Sequence, residues 1–255
     1  MATRSFELRE FFHLALLRHL ATRLSGRAYA VKGGICLRFF HRSPRLSQDI
    51  DIDIVSSVHF KTLQNAVDSI LKGQAFAATL LQTGITRMSS TKPKQTETTQ
   101  RWKVALFAGT GDPLPTKIEF SRRNNQISCS TGIPDAELLR RYQMTPFAAQ
   151  FYEATAMAAQ KIAALASPTR YALRDLFDLH HLLCVSQVKP QDIAKLIETK
   201  TLESATDKIG SFTFRDFKEQ VLPYLSEDLI DLYRNADSFE RQKSEVERAL
   251  MEMLP

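Results

Sequence analysis

Long apolar runs are missing from this chain. The opening residues, MATRSFELREFF, lack the apolar core of a secretion signal, and no later run approaches the roughly 18 residues that a membrane span needs. The expectation is a soluble cytoplasmic protein with no membrane partner. Cysteine is also sparse: Cys36, Cys129 and Cys184 are odd in number, far apart and outside any CxxC spacing. That argues against a disulfide framework and a zinc site, and predicts reduced, mostly buried thiols. His180 and His181 are adjacent, point in different directions on a helix and make a poor metal pair. No internal repeat is present. What the chain does have is enough apolar content, 44%, to bury a core rather than remain disordered. Its net charge of +6 and pI near 9.3 suit a polyanionic partner such as RNA or DNA without establishing one.

The richest stretch runs from 31 to 55 and reads VKGGICLRFFHRSPRLSQDIDIDIV. Residues 28–32 read as a strand, 34–40 as a short helix, 41–48 as a basic loop, and the end as a strand carrying Asp49, Asp51 and Asp53 at alternate positions. Alternate side chains of a strand share a face, so the three carboxylates line one side, about 7 Å between neighbours, while Ile50, Ile52 and Ile54 take the other. Three like charges on one face oppose both strand propensity and electrostatics, so a positive group belongs there. Magnesium fits: it is a hard cation, takes carboxylate oxygen and commonly shares its shell with substrate phosphates. Two such ions would serve phosphoryl or nucleotidyl transfer. A solvated acidic edge strand gives the same letters. The preceding Gly33-Gly34 favours the first reading, because it exposes backbone N–H groups at a helix start, where an anion such as a triphosphate binds. Arg38, Arg42 and Arg45 either neutralise the acidic strand or hold phosphate bidentately, and the sequence does not separate the two.

Elsewhere, residues 5–24 carry a helical stripe of Leu8, Phe11, Phe12, Ala15, Leu16 and Leu20, read as core. Residues 59–72 read as a helix stopped by Gly73, and 75–82 and 85–88 as strands. The segment 89–100, SSTKPKQTETTQ, is polar and aperiodic, and reads as an exposed hairpin loop that either is simply solvated or touches nucleic acid. Strands follow over 101–108 and 116–121; in the latter Lys117 and Glu119 share a face, which is either an exposed edge or the source of a further metal-binding carboxylate, Glu119. From about 136 the pattern turns helical, with helices over 147–167, 170–183, 191–199, 214–222, 227–235 and 238–253. Lys161 sits on the first of these, solvated or holding phosphate as a point charge. On the second, Arg174, Asp175 and Asp178 are spaced to share a face.

Together these pieces resemble the AbiEii/AbiGii-type toxin nucleotidyltransferases, bacterial members of the DNA polymerase β-like superfamily and the toxin half of type IV toxin–antitoxin or phage-defence systems. The resemblance rests on Lys32-Gly33-Gly34 followed by Arg45, Ser47, Asp49 and Asp51; on Lys117 and Glu119; and on Lys161 followed by Arg170, Arg174, Asp175 and Asp178. It implies an α+β fold, a polymerase β-like mixed sheet with helices over 1–140 followed by a helical half over 141–255, with a substrate cleft between the two. It implies that Asp49 and Asp51 bind magnesium, that Lys161 contacts the triphosphate, and that Asp178 or Asp175 completes the site, with Asp53 a third ligand or a spare. Lys32, Gly33, Gly34, Arg45, Ser47 and Arg174 fall at the family's nucleotide-binding positions. One departure stands out: Ile35 replaces the usual hydroxyl residue after the glycines, which leaves phosphate grip there to backbone N–H groups.

The expected chemistry is attack by an acceptor hydroxyl on the α-phosphate of a nucleoside triphosphate, with pyrophosphate leaving. Related toxins modify the 3′ acceptor end of tRNA and so block aminoacylation. Expected partners are therefore tRNA, a nucleoside triphosphate, Mg2+, with two ions expected, and a cognate antitoxin. The rivals are transfer to a protein or small-molecule hydroxyl, such as an aminoglycoside, and a non-catalytic nucleotide- or RNA-binding module.

Overall fold

The computed structural model describes residues 2–122 and 127–254. The chain forms two compact units, Met1–Phe40 with Leu46–Tyr152, and His41–Arg45 with Glu153–Pro255. The first is built from α1 (Ala2–Ala21), β1 (Tyr29–Lys32), α2 (Gly33–Phe40), β2 (Ile50–Ile54), α3 (Phe60–Leu71), α4 (Gln74–Leu81), β3 (Ile85–Gln95), β4 (Thr99–Ala108), β5 (Leu114–Ser121), β6 (Cys129–Gly132), α5 (Ala136–Arg141) and β7 (Ala149–Tyr152). Its strands make one seven-stranded mixed sheet in the order β3-β4-β5-β2-β1-β7-β6. The pairs β2–β5 and β1–β7 are parallel and the others antiparallel.

The core lies on one face of this sheet, under the helices. Gln100, Trp102, Val104 and Leu106, the even positions of β4, are buried, and the Trp102 indole donates to Asp68 on α3 at 2.8 Å. The predicted stripe of α1 is buried as expected, and Leu14 and Leu17 on its other side are buried too, so α1 is an interior helix. Each such Phe or Leu contributes on the order of 2 kcal/mol by leaving water.

Three elements depart from the sequence reading. Residues 75–82 form α4, not a strand: Ala, Leu and Gln are strong helix formers, and Phe76 and Leu80, four apart, bury one face. The polar segment 89–100 is mostly strand, with β3 continuing to Gln95 and β4 starting at Thr99 around a short turn closed by Thr96 and Thr99. It carries no apolar alternation because β3, at the sheet edge, is exposed along most of its length. Residues 149–152, expected in a helix, form β7, because Phe151 pairs in parallel with Val31 of β1, a tertiary contact that overrides local helix preference. Residues 141–152 thus belong with the sheet rather than with the helical part. The short β6 has no counterpart in the sequence reading.

The second unit is helical: α6 (Ala154–Ala166), α7 (Arg174–His180) running into a π turn at His181–Val185, α8 (Pro190–Ala194), α9 (Thr199–Gly210), α10 (Phe214–Gln220), α11 (Glu227–Tyr233) and α12 (Ala236–Met251). Helix α9 was not anticipated, although Leu202, Ala205 and Ile209 give it a buried stripe. Among the described residues no helix is long and apolar enough to cross a membrane.

Candidate active site

In the first unit, three carboxylates converge on one ammonium. Register sets Asp51 beside Glu119 on β5 and beside Lys32 on β1. Asp49, just before β2, accepts the backbone N–H of Lys117 at 2.9 Å. The Lys117 Nζ then lies 3.4 Å from Asp49 Oδ2, 3.8 Å from Asp51 Oδ1 and 3.8 Å from Glu119 Oε2. The positive group that the acidic face requires is thus, in the protein alone, a lysine. Burial raises the Asp51 pKa; Glu119 and Asp49 raise it further, while Lys117 and Lys32 oppose them. Glu119 also accepts from Arg101, its direct neighbour on β4, at 2.7 Å.

Asp53 is corrected from metal ligand to anchor. It is buried, and both oxygens are engaged: one accepts from Lys32 and Ser121, the other from Tyr152. Lys32, expected at the nucleotide, is occupied by this contact and by Ser121 at 2.7 Å. Alternation puts Asp51 and Asp53 on one face, but β1 and β7 cover the second and leave the first partly open. Gly33 explains the opening. Its φ is +68°, and a Cβ there would sit 3.1 Å from Asp51 Oδ2, so only glycine both adopts the backbone and clears the carboxylate. The neighbouring Ile35 is buried in the core. Ser47, also expected at the nucleotide, donates to the Asp49 carbonyl at 3.0 Å and so shapes the acidic loop.

The second unit holds a buried ionic cluster. Arg45 donates to both oxygens of Asp178, each at 2.7 Å, and Lys161 lies 2.6 Å from Asp178 and 2.7 Å from Asp175. Arg170 adds a contact to Asp175 at 2.8 Å. Burial alone would raise the Asp178 pKa, but Arg45 and Lys161 overcome it and hold it at about 2. Burial likewise works against Lys161, and the two aspartates more than offset it, so its pKa rises. Three cations face two carboxylates, which leaves the cluster net positive, with Arg170 its exposed member. Arg45 thus neutralises Asp178, and Arg38 pairs with Glu10 at 2.6 Å. Arg174, expected on the shared face with Asp178, instead stacks its guanidinium over Tyr224 at 5.1 Å.

His180, Cys184 and Glu245 form another group of potential ligands among the described residues. Its soft sulfur does not suit magnesium, and the 2.8 Å contact of the His180 ring with Glu245 already accounts for it as a tie between α7 and α12.

The family model for the nucleotidyl transferase AbiEii toxin of type IV toxin–antitoxin systems matches residues 15–252. The chain belongs to this family. As an AbiEii protein it is a nucleotidyltransferase-family enzyme and the toxin of a toxin–antitoxin pair, which implies a nucleoside triphosphate substrate and an antitoxin partner. Solved structures agree on the fold. MenT4, a nucleotidyltransferase toxin from Mycobacterium tuberculosis H37Rv, superposes with a TM-score of 0.60 at 14% identity, covering 99% of this chain and 95% of that one. JHP933 from Helicobacter pylori gives 0.56 at 18% identity, covering 96% and 92%. No curated protein matches significantly.

Within this AbiEii chain, sequence reasoning considered Arg101 only as a nucleic-acid contact, not as the partner of Glu119, and missed Ser121 and Tyr152. The first had a signal, since it starts the alternating run that ends at Phe107. The other two had none, being 68 and 99 residues from Asp53.

Proposed function

We propose that this toxin transfers nucleotides from a nucleoside triphosphate to the 3′ acceptor end of tRNA, blocking aminoacylation and growth. The observation that carries the reading is the convergence of Asp49, Asp51 and Glu119 on a single cation in the first unit. Their hard oxygen donors fit Mg2+, and the Lys117 ammonium shows that a positive charge is accommodated among them. Asp49, Asp51 and Glu119 would hold the metal, whether one ion or two. When bound, it supplies charge neutralisation at the phosphate and a lowered pKa for the attacking hydroxyl.

The chain's own groups do the rest. Gly33 keeps the Asp51 carboxylate unobstructed, and the Gly33-Gly34 start of α2 presents backbone N–H groups to an anion. Asp53, itself held by Tyr152, and Ser121 hold Lys32, which fixes β1 beside the acids. In the second unit, Arg45, Asp178 and Lys161 hold a net-positive cluster whose exposed Arg170 suits a triphosphate. The chain's +6 charge favours a polyanionic acceptor over a neutral one.

The test is incubation with total tRNA, Mg2+ and each labelled nucleoside triphosphate in turn, resolved on a denaturing gel, with Asp49→Ala as control. Label on tRNA that vanishes in the control is the expected result. Label on protein or a small molecule would replace the acceptor, and no label from a folded sample that still binds nucleotide would replace the reading with a binding module.

A further inference from the structure

The face of the sheet opposite the helices has a continuous composition from the acids to the edge. Directly paired residues point to the same side, so the register defines this face row by row. From Asp51, the row crosses Glu119 on β5, Arg101 on β4 and Lys94 on β3. The next row crosses Lys117, Lys103 and Thr91, and beyond it Ala105 pairs with Ser89 and Phe107 with Arg87. Four strands at about 4.8 Å spacing make this path about 14 Å long. At its start the cations are spent on carboxylates: Lys117 on all three, Arg101 on Glu119. Farther out, none of the described residues that pair along this face, Lys94, Lys103, Thr91, Ala105, Ser89, Phe107 and Arg87, is a carboxylate. Lys94 and Lys103 are exposed, and the Arg87 Cζ lies over the Phe107 ring, 3.7 Å from its centroid.

We propose that this face carries the single-stranded 3′ end of the acceptor RNA, its backbone passing over Lys103 and Lys94 and a base stacking near Phe107 and Arg87. The inference rests on the proposed tRNA reading and adds the route by which the terminal hydroxyl reaches Asp49 and Asp51. Exposed cations interleaved with an aromatic and small hydroxyl residues are what a single strand uses: charge for phosphate, a flat surface for a base. A protein partner would gain little from the same face, since it lacks an apolar centre for docking.

The experiment measures binding of a fluorescein-labelled single-stranded RNA ending in CCA, by anisotropy across a salt series, together with steady-state transfer to tRNA. The variants are Lys94→Glu/Lys103→Glu and, to separate local contact from bulk charge, Lys189→Glu/Lys200→Glu on the second unit. Both pairs are exposed. The expected result is an affinity loss of about tenfold or more in the first variant only, a KM for tRNA raised to match with kcat retained, and a salt slope lower by about 1.4 for two lost contacts. Equal losses in both variants, or undiminished binding in the first while the wild type still labels tRNA, would overturn the track alone. If the wild type neither binds nor labels RNA but labels protein, the acceptor reading fails, and the track with it. If the first variant instead loses only the antitoxin, the face is a protein interface and the proposal is wrong.

Discussion

Gly33 faces the Asp51 carboxylate at close range: a Cβ there would stand 3.1 Å from Oδ2, so the carboxylate would have to give by a few tenths of an ångström, on a backbone with φ of +68°. Gly33→Ala is therefore expected to displace Asp51 and to strain the start of α2, costing about 1 kcal/mol of stability and at least about tenfold in transfer rate. Thermal unfolding and labelled-nucleotide incorporation measure the two separately. Full activity in the alanine variant would mean that the Asp51 position is not critical.

Asp51 and Asp53 sit two residues apart and should respond in opposite ways to loss of charge. Asp51→Asn relieves repulsion with Asp49 and Glu119, so the variant should melt no lower than wild type while losing transfer activity. Asp53→Ala leaves the Lys32 ammonium without its buried partner and should destabilise the fold by roughly 3–5 kcal/mol. Urea unfolding of both variants is the check, and equal stability would remove the distinction between ligand and anchor.

His13 gives stability a pH dependence of its own. The single proton of the Thr116 hydroxyl goes to the Gln48 carbonyl at 2.7 Å, so His13 Nε2, 2.8 Å away, must donate. The ring is neutral, since burial first and Arg9 second push its pKa from 6.5 to about 3. Between those values the unfolded chain takes up a proton that the folded one refuses. Stability should be complete above pH 6.5 and fall by up to about 1.4 kcal/mol per unit as pH drops toward 3. His13→Gln should flatten that limb in urea titrations from pH 7 to 4, and an unchanged slope would assign it elsewhere.

Asp178 governs the lower limb. Its folded pKa of about 2 lies below the ordinary 3.8, so its contribution of about 2 kcal/mol is present above pH 3.8 and disappears as pH falls through 2. Asp178→Asn should remove this step, and because it takes the bidentate carboxylate from Arg45 and leaves Lys161 with Asp175 it should also lower stability at pH 7 by roughly 3–5 kcal/mol. A variant as stable as wild type at neutral pH would contradict the buried cluster.

What the sequence disclosed about the site was what local pattern encodes. Alternation exposed Asp49, Asp51 and Asp53 as one set and joined Lys117 to Glu119, and the glycine pair marked the start of α2. It did not disclose that Lys117 would reach back to Asp49 and Asp51 as well as to Glu119, because parallel pairing of β2 with β5 is set by the tertiary fold. Nor did it show Arg45 bonding Asp178 across 133 positions, a contact that turns two expected substrate-binding residues into each other's partners. In the fold, α1 and α3 were legible from apolar periodicity. The β3–β4 hairpin was hidden because an edge strand exposed on both faces has no apolar rhythm to read. Helix α4 was misread because its short apolar run fits either period.

That edge strand bears on how the protein survives its own synthesis. An eleven-residue strand at the border of a sheet offers unpaired backbone groups to any neighbouring chain, the usual beginning of aggregation. In β3 the sequence Lys92-Pro93-Lys94 puts the exposed charge of Lys94 and a missing N–H in the middle of that border, Lys92 being paired with Asp68, and the register slips between Thr91 and Lys94. A second copy approaching edge to edge meets repulsion and a gap in its ladder. The border is thereby a poor template for further copies of the chain.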